Sequence, residues 1–299
     1  MNNSKSKTPL RCLISVVCSL LLQALPATAL TVTQTTSSSD LSTALGGGGG
    51  LTVNSATVIN GAPEQFGTYT GFTSPPVTIG DGIVLSNGIA TQTTAAFHSA
   101  SSSPTTDTGA LGTPEFDAFG PGHITNFFSS HNVAALQVNF TLAAPSQVGF
   151  NFIFGSVEFP DFTSNFTDAF VGFLDGTTTA NQIIFDSSGN AVQVGSTFAG
   201  ALRTDDTNTA FADPHGLLAL QTFTKGVLSA GPHTLTFEVG DVNDSVLDSA
   251  AFISGLHAGT GTGGTTGVPD SGSTLLLLGL AMLGLAALRH KAWVSSGAV

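Results

Sequence analysis

Residues 133–154 read VAALQVNFTLAAPSQVGFNFIF. Ala134, Leu136, Val138, Phe140 and Leu142 fall on one face of an extended chain, and Ala135, Gln137, Asn139 and Thr141 on the other. That is period two over ten residues, the pattern of a β-strand with one face toward a core. After residues 143–146 the alternation resumes over 147–154, with Val148, Phe150, Phe152 and Phe154 on one face. Read together, the two segments predict an antiparallel hairpin with a large aromatic inner face.

The same reading extends outward. Further strands are expected over 51–59, 169–174, 182–185, 191–194, 233–239 and 250–256. Asp175-Gly176 and Ser188-Gly189-Asn190 supply turn chemistry between them. In 233–239, Leu235, Phe237 and Val239 point one way. The five glycines at 46–50 favour neither helix nor strand and read as a flexible loop after a short segment at 40–45. Residues 91–121, rich in Ser, Thr, Gly, Ala and Pro, read as a long surface loop pinned by Phe97, Phe116 and Phe119. The 299 residues include 22 Phe and 36 Gly but few Glu, Lys or Arg, which suits strands better than helices. The expected fold class is all-β, a two-sheet antiparallel β-sandwich of jelly-roll-like type over 30–258.

Charge is distributed unevenly. Five of the seven Lys and Arg residues lie near the ends: Lys5, Lys7, Arg11, Arg289 and Lys291. Between Leu30 and Val268 stand 18 acidic residues against Arg203 and Lys225, a formal charge of −16. Such a surface repels phosphates, so nucleic acid is excluded as a partner. Both cysteines, Cys12 and Cys18, lie in the first 20 residues, so a chain processed after them has neither disulfide nor thiolate chemistry.

The ends carry address patterns. Residues 1–29 have a basic start, an apolar stretch and small residues at Ala27 and Ala29. That is a secretory signal peptide, helical while it lasts, with cleavage by signal peptidase after Ala29. At the other end Val268-Pro269-Asp270-Ser271-Gly272 precedes an uncharged apolar run from Leu275 to Leu288, then Arg289, His290 and Lys291. As a hydrophobic helix the run spans about 21 Å, short of the roughly 30 Å hydrocarbon layer. Residues 259–267, GTGTGGTTG, read as a linker before it, and 292–299 as a short tail.

This C-terminal pattern resembles the PEP-CTERM sorting signal in its VPDSG variant. The resemblance implies recognition by an exosortase, with the tail kept only until sorting. Asp270-Ser271 here replaces the usual Glu-Pro after the first proline. The body, 30–258, resembles the choice-of-anchor L domain of bacterial surface proteins. Four ordered blocks carry that resemblance. The first is TVTQTTSSSDLSTAL with LTVNSATVING, and the second is GIVLS followed by Gly88. The third runs from Phe154 through Ser156, Glu158, Phe159 and Pro160 to Leu174. The last is Gly240-Asp241, Asp244-Ser245 and Leu247 to Ala250. Relatives often carry two acids before the aromatic, where this chain has Val157 and Glu158.

The chemistry-bearing candidates are acidic. Glu158, Asp161 and Asp168 flank one loop between strands expected to be neighbours, and Asp241, Asp244 and Asp248 flank the turn before the last strand. Carboxylates at loop positions are what Ca²⁺ takes, although the spacing is not that of an EF-hand. The plain alternative is that these acids cap turns and keep the surface soluble. Ca²⁺ is the one cofactor considered, and no catalytic residue is singled out. Asp205-Asp206 reads as a solvated turn. The histidines at 98, 123, 131, 215, 233 and 257 form no metal-binding spacing.

The resulting expectation is a non-enzymatic, exported structural or adhesive protein. It would pass through an inner-membrane intermediate to the surface or extracellular matrix of a Gram-negative-type bacterium, with extracellular polysaccharide as a partner. The alternatives are a Ca²⁺-dependent carbohydrate-binding module and a secreted hydrolase.

Overall fold

The computed structural model describes residues 29–259 apart from 75–77, 100–103 and 204. The expected signal peptide with Ala27, the sorting motif Val268–Gly272, the linker beyond residue 259 and the apolar run all lie outside the described residues. Ala29 is described, at the start of the body.

Two antiparallel sheets form the sandwich. The first contains β1 (Thr31–Gln34), β3 (Phe66–Thr70), β4 (Gly82–Ser86), β6 (Ser146–Ser156), β9 (Gly216–Leu217), β10 (Gln221–Leu228) and β12 (Ser249–Ala258). Its order is β1-β3-β4-β12-β6-β10, with β9 paired to the far end of β6. The second contains β2 (Leu51–Asn60), β5 (Ser130–Leu142), β7 (Ala169–Leu174), β8 (Val192–Gln193) and β11 (Gly231–Val242), in the order β2-β5-β11-β7-β8. Two short helices, α1 (Ser38–Leu45) and α2 (Pro114–Phe119), complete the main elements.

The hairpin expected over 133–154 does not form. β5 lies between β2 and β11, while β6 lies in the other sheet beside β12 and β10. Residues 143–145 carry the chain across the sandwich. The alternation identified the inward faces correctly, but period two carries no information about the hydrogen-bonding partner. The two inner faces meet across the core instead of side by side. Phe150 of β6 stands 5.1 Å, ring to ring, from Phe237 of β11, and Phe152 stands 5.3 Å from Phe170 of β7. The strand expected at 182–185 is only a pair of isolated bridges, Phe173 to Gln182 and Phe185 to Ala191.

Both outer faces are also covered, which explains the strands that read as continuous apolar runs. Every residue of β7 and β12 is buried. Over the first sheet, Phe252 packs edge-on against Tyr69 and Phe72 at 5.3 and 4.9 Å. Over the second, α2 places Phe116 and Phe119 beside Val133, Val171 and Phe173. That helix sits inside the region expected to be one long loop. Thr113 caps it by accepting from the Phe116 amide, and Pro114 opens it without needing a donor. Phe116 and Phe119 pin the segment as expected, whereas Phe97 is left exposed.

The glycine run is a fitted turn rather than a flexible loop. The Ala258 amide donates to Gly48 O at 2.9 Å, tying the run to β12. Gly49 has φ +66°, and a Cβ there would sit 2.0 Å from the Ala258 carbonyl oxygen; Gly46, at φ +87°, has open space around it. Gly46→Ala is expected to cost about 1–3 kcal/mol from backbone strain alone, since φ +87° with ψ −138° is outside the left-handed helical region that other residues occasionally adopt. Gly49→Ala adds a backbone clash and is expected to cost clearly more. Urea unfolding of the two variants tests the order, and equal losses would refute the close fit.

Candidate functional site

At one end of the sandwich, six strand ends face one another. In the first sheet, β4 ends beside the start of β12 and β12 begins beside the end of β6, as Ser86 pairs with Ala250 and Ser156 with Ser249. In the second, the end of β11 lies between the starts of β5 and β7, as Asp241 pairs with His131 and Gly240 with Ala169. The loop 157–168 crosses from β6 to β7, and 243–248 crosses from β11 to β12. Each therefore bridges the two sheets. The expectation that the first loop joins neighbouring strands is thereby corrected: β6 and β7 are in opposite sheets.

The crossings bring carboxyl groups together inside the protein. Glu158 and Asp168 are wholly buried, and Asp241 and Asp248 are 2% and 3% exposed. Asp168 accepts from Asn87 Nδ2 at 2.6 Å and Ser249 Oγ at 2.8 Å on one oxygen, and from the Val242 amide at 3.3 Å on the other. Asp241 accepts from Asn132 Nδ2 at 2.8 Å and also from Asn87 Nδ2. Asn87 is oriented by the Ser249 amide, which donates to its Oδ1 at 2.6 Å. Glu158 Oε2 accepts from the Asp168 amide at 3.0 Å, while Oε1 has no hydrogen-bond partner. Asp244, half-buried at the rim, likewise leaves Oδ1 without one.

Among the described residues no Lys or Arg compensates these charges, and the one basic group acting on the cluster is His131, which lowers the rim acid Asp244. Arg203 pairs with Asp213 at 3.4 Å on the surface, and Lys225 is exposed on β10. Burial, joined by the neighbouring Asp168 charge, pushes the Glu158 carboxyl up to about 12. Burial also holds Asp168 well above the usual carboxylate range, against the pull of its Ser249 and Asn87 hydrogen bonds. Asp241 is raised by burial and then by the Asp168 charge. Burial raises Asp248 to about 7, opposed by the Thr106 amide that donates to it at 2.8 Å. Asp244 is raised by burial too, less the contribution of the Val246 amide.

Of the six acids singled out in the sequence, Glu158, Asp168 and Asp241 share this interior, with Asp244 at its rim and Asp248 beside it. Asp161 is exposed and stands apart. Among the described residues, no three His, Cys, Asp or Glu side chains are preformed to hold a metal ion. Asp205 and Asp206 lie in an exposed turn. Sequence reading missed Asn87, Asn132 and Ser249, which organise the acids. The first was legible only as a polar residue between Ser86 and Gly88 in the second resembling block. Gly88 is fitted as well, since a Cβ there would fall 1.8 Å from Asp248 Oδ2.

Glu238 was also not anticipated. It sits wholly buried on the outer face of the second sheet, where Oε2 accepts from the α2 cap Thr113 at 2.7 Å and Oε1 is unpartnered.

No curated protein and no solved structure matches the chain. Two family models do. One is the VPDSG-CTERM motif over residues 267–291, and the other is the choice-of-anchor L domain over residues 30–257. A sorting motif of this type implies handling by the exosortase sorting machinery, and the two matches together describe an exported surface protein. With about three quarters of its length covered by one model, the chain belongs to the choice-of-anchor L domain family.

Proposed function

We propose that the mature chain is a structural or adhesive unit of an extracellular polysaccharide layer, delivered through its C-terminal tail. The observation that carries this reading is the order of the parts: a sealed, acidic sandwich, a Gly/Thr-rich connection, and then the matched sorting motif. Such a tail is a means of placing a folded domain at a surface. In this reading signal peptidase cuts after Ala29, an inner-membrane intermediate is held by the apolar run, and exosortase processing releases the domain outward in a Gram-negative-type cell. The sandwich suits a building block, since its core is a closed apolar cluster and its exposed strand edges are blunted. β1 has only four residues, β8 has two, β10 carries Lys225 with an irregular register between Lys225 and Leu228, and the ten-residue β2 is broken by register shifts at Val53/Ser55 and Val58/Asn60. The hydrolase alternative gains no support, because the acids that gather are sealed between the sheets and are not offered to a polymer.

Intact-mass measurement tests the route. Expressed in a host with the exosortase, the surface form is expected to begin at Leu30 and to end near the 268–272 turn. In a host without it, the tail is expected to remain and the chain to stay in the membrane fraction. A surface form that keeps residues 273–299 would exclude processing. For the role itself, cells lacking the chain are expected to shed polysaccharide faster than the parent strain. Equal shedding would exclude a structural part in the layer.

A further inference from the structure

The buried acids pose a charge problem that the hydrogen bonds sharpen. Among the described residues, every hydrogen bond of the Asp168 and Asp241 side chains is one they accept: from the amides of Asn87 and Asn132, the Ser249 hydroxyl and the Val242 N–H. Donors on both oxygens of a carboxyl are the surroundings of an anion; a protonated acid needs an acceptor for its own O–H. Two anions buried without a basic partner are expensive unless a cation joins them. Glu158 Oε1, wholly buried and without a donor, and Asp244 Oδ1 are left to receive one, as is Asp248 Oδ2 beside the group.

We propose that Glu158, Asp168, Asp241 and Asp244 bind one divalent cation of the Ca²⁺ class between the two sheets. The donor chemistry selects the ion. All four groups offer carboxylate oxygen, with neither sulfur nor imidazole among them, which is the preference of a hard cation completed by carbonyls or water to six to eight ligands. The unpartnered oxygens lie on the loops that cross between the sheets, so binding draws the rim inward to complete the site. Its consequence is mechanical. One ion ties β6 to β7 and β11 to β12, four strand ends from both sheets, at the end of the sandwich where the chain crosses twice. The proposal concerns the interior of the domain. It leans on the exported location only for the supply of millimolar Ca²⁺, so a failed sorting experiment leaves it standing and a failed calcium experiment leaves the sorting reading standing.

The test uses the full chain stripped of divalent ions by chelator. Radiolabelled Ca²⁺ in flow dialysis is expected to show one bound equivalent. Added Ca²⁺ is expected to raise the melting temperature saturably, by about 5–10 °C at a hundredfold excess over Kd, and Na⁺ at equal ionic strength is not. Asp161→Asn, at the exposed acid outside the group, is expected to keep both responses. Glu158→Gln is expected to lose them, and if it fails to fold, Asp244→Asn at the rim is expected to weaken binding at least tenfold. No bound Ca²⁺ and an unchanged melting temperature in the parent chain would overturn the proposal, as would full binding by both Glu158→Gln and Asp244→Asn. The first result would mean that protons shared among the acids balance the cluster, and the second that the ion sits elsewhere.

Discussion

Phe170→Ala is expected to remove about 3–5 kcal/mol of stability, the usual range for emptying a buried phenylalanine site. The ring belongs to the second sheet and projects into the middle of the aromatic core. Its centroid lies 5.3 Å from Phe152, 6.1 Å from Phe237 and 6.4 Å from Phe154. Phe152 and Phe154 come from the opposite sheet, so the truncation loosens the contact between sheets as well as within one. Two mechanisms act together: lost transfer free energy and a cavity that the strands cannot close, because backbone hydrogen bonds on both sides of β7 fix their spacing. Phe128→Ala is the matched control. That side chain is 89% exposed, and its loss is expected to change stability by no more than about 0.5 kcal/mol. Urea unfolding at equilibrium measures both. A loss under about 1 kcal/mol at Phe170 would contradict the interleaved core.

Glu238→Gln is expected to stabilise the protein at alkaline pH and to do little in acid. Burial raises this carboxyl to about 7, against the Thr113 hydrogen bond that favours its charged form; Glu115 and Asp117 nearby push the same way as burial. The unfolded carboxyl ionises near 4.5. Between those values the folded chain holds a proton that the unfolded chain has released, so stability falls as pH rises through the window. The contribution is fully present below pH 4.5 and lost above about 7, a difference of about 3 kcal/mol at a single site. Glutamine cannot ionise, so that fall should be absent from the variant. Paired urea curves for the two proteins at pH 5 and pH 8 isolate this residue from the other buried acids, which titrate in both. Parallel pH dependence in the two proteins would show that Glu238 is ionised in the fold without penalty.

Particular residues show how much could be read in the sequence. Phe150, Phe152 and Phe154 were legible as an inward face because a strand alternates whatever its neighbours are. The span 169–174 was legible to the residue, bounded by Asp175-Gly176. Glu158, Asp168 and Asp241 were legible as candidates because acids near turns stand out in a chain with little other charge. Their burial was not. An acid beside a turn is ordinarily solvated, and here the crossing loops, with Asn87, Asn132 and the Thr106 segment packed over the acids, close this end of the sandwich. Asp161, three positions from Glu158, stays in solvent, and nothing in the spacing separates the two.

The sequence alone determined the all-β class, the inward faces, the acidic and thiol-free body and the exported destination written in the C-terminal motif. Each of these is local, set by periodicity, composition or a short contiguous motif. The tertiary structure decided the rest. It placed β5 and β6 in opposite sheets, turned the glycine run into a fitted corner against Ala258, and brought Asn87, Asp241 and the Glu158 and Asp168 of one loop together from three separate parts of the chain. The physical reason is common to all three. Strand partners and buried charges are fixed by which surfaces exclude water together, and that depends on contacts between residues far apart in sequence, which no local pattern encodes.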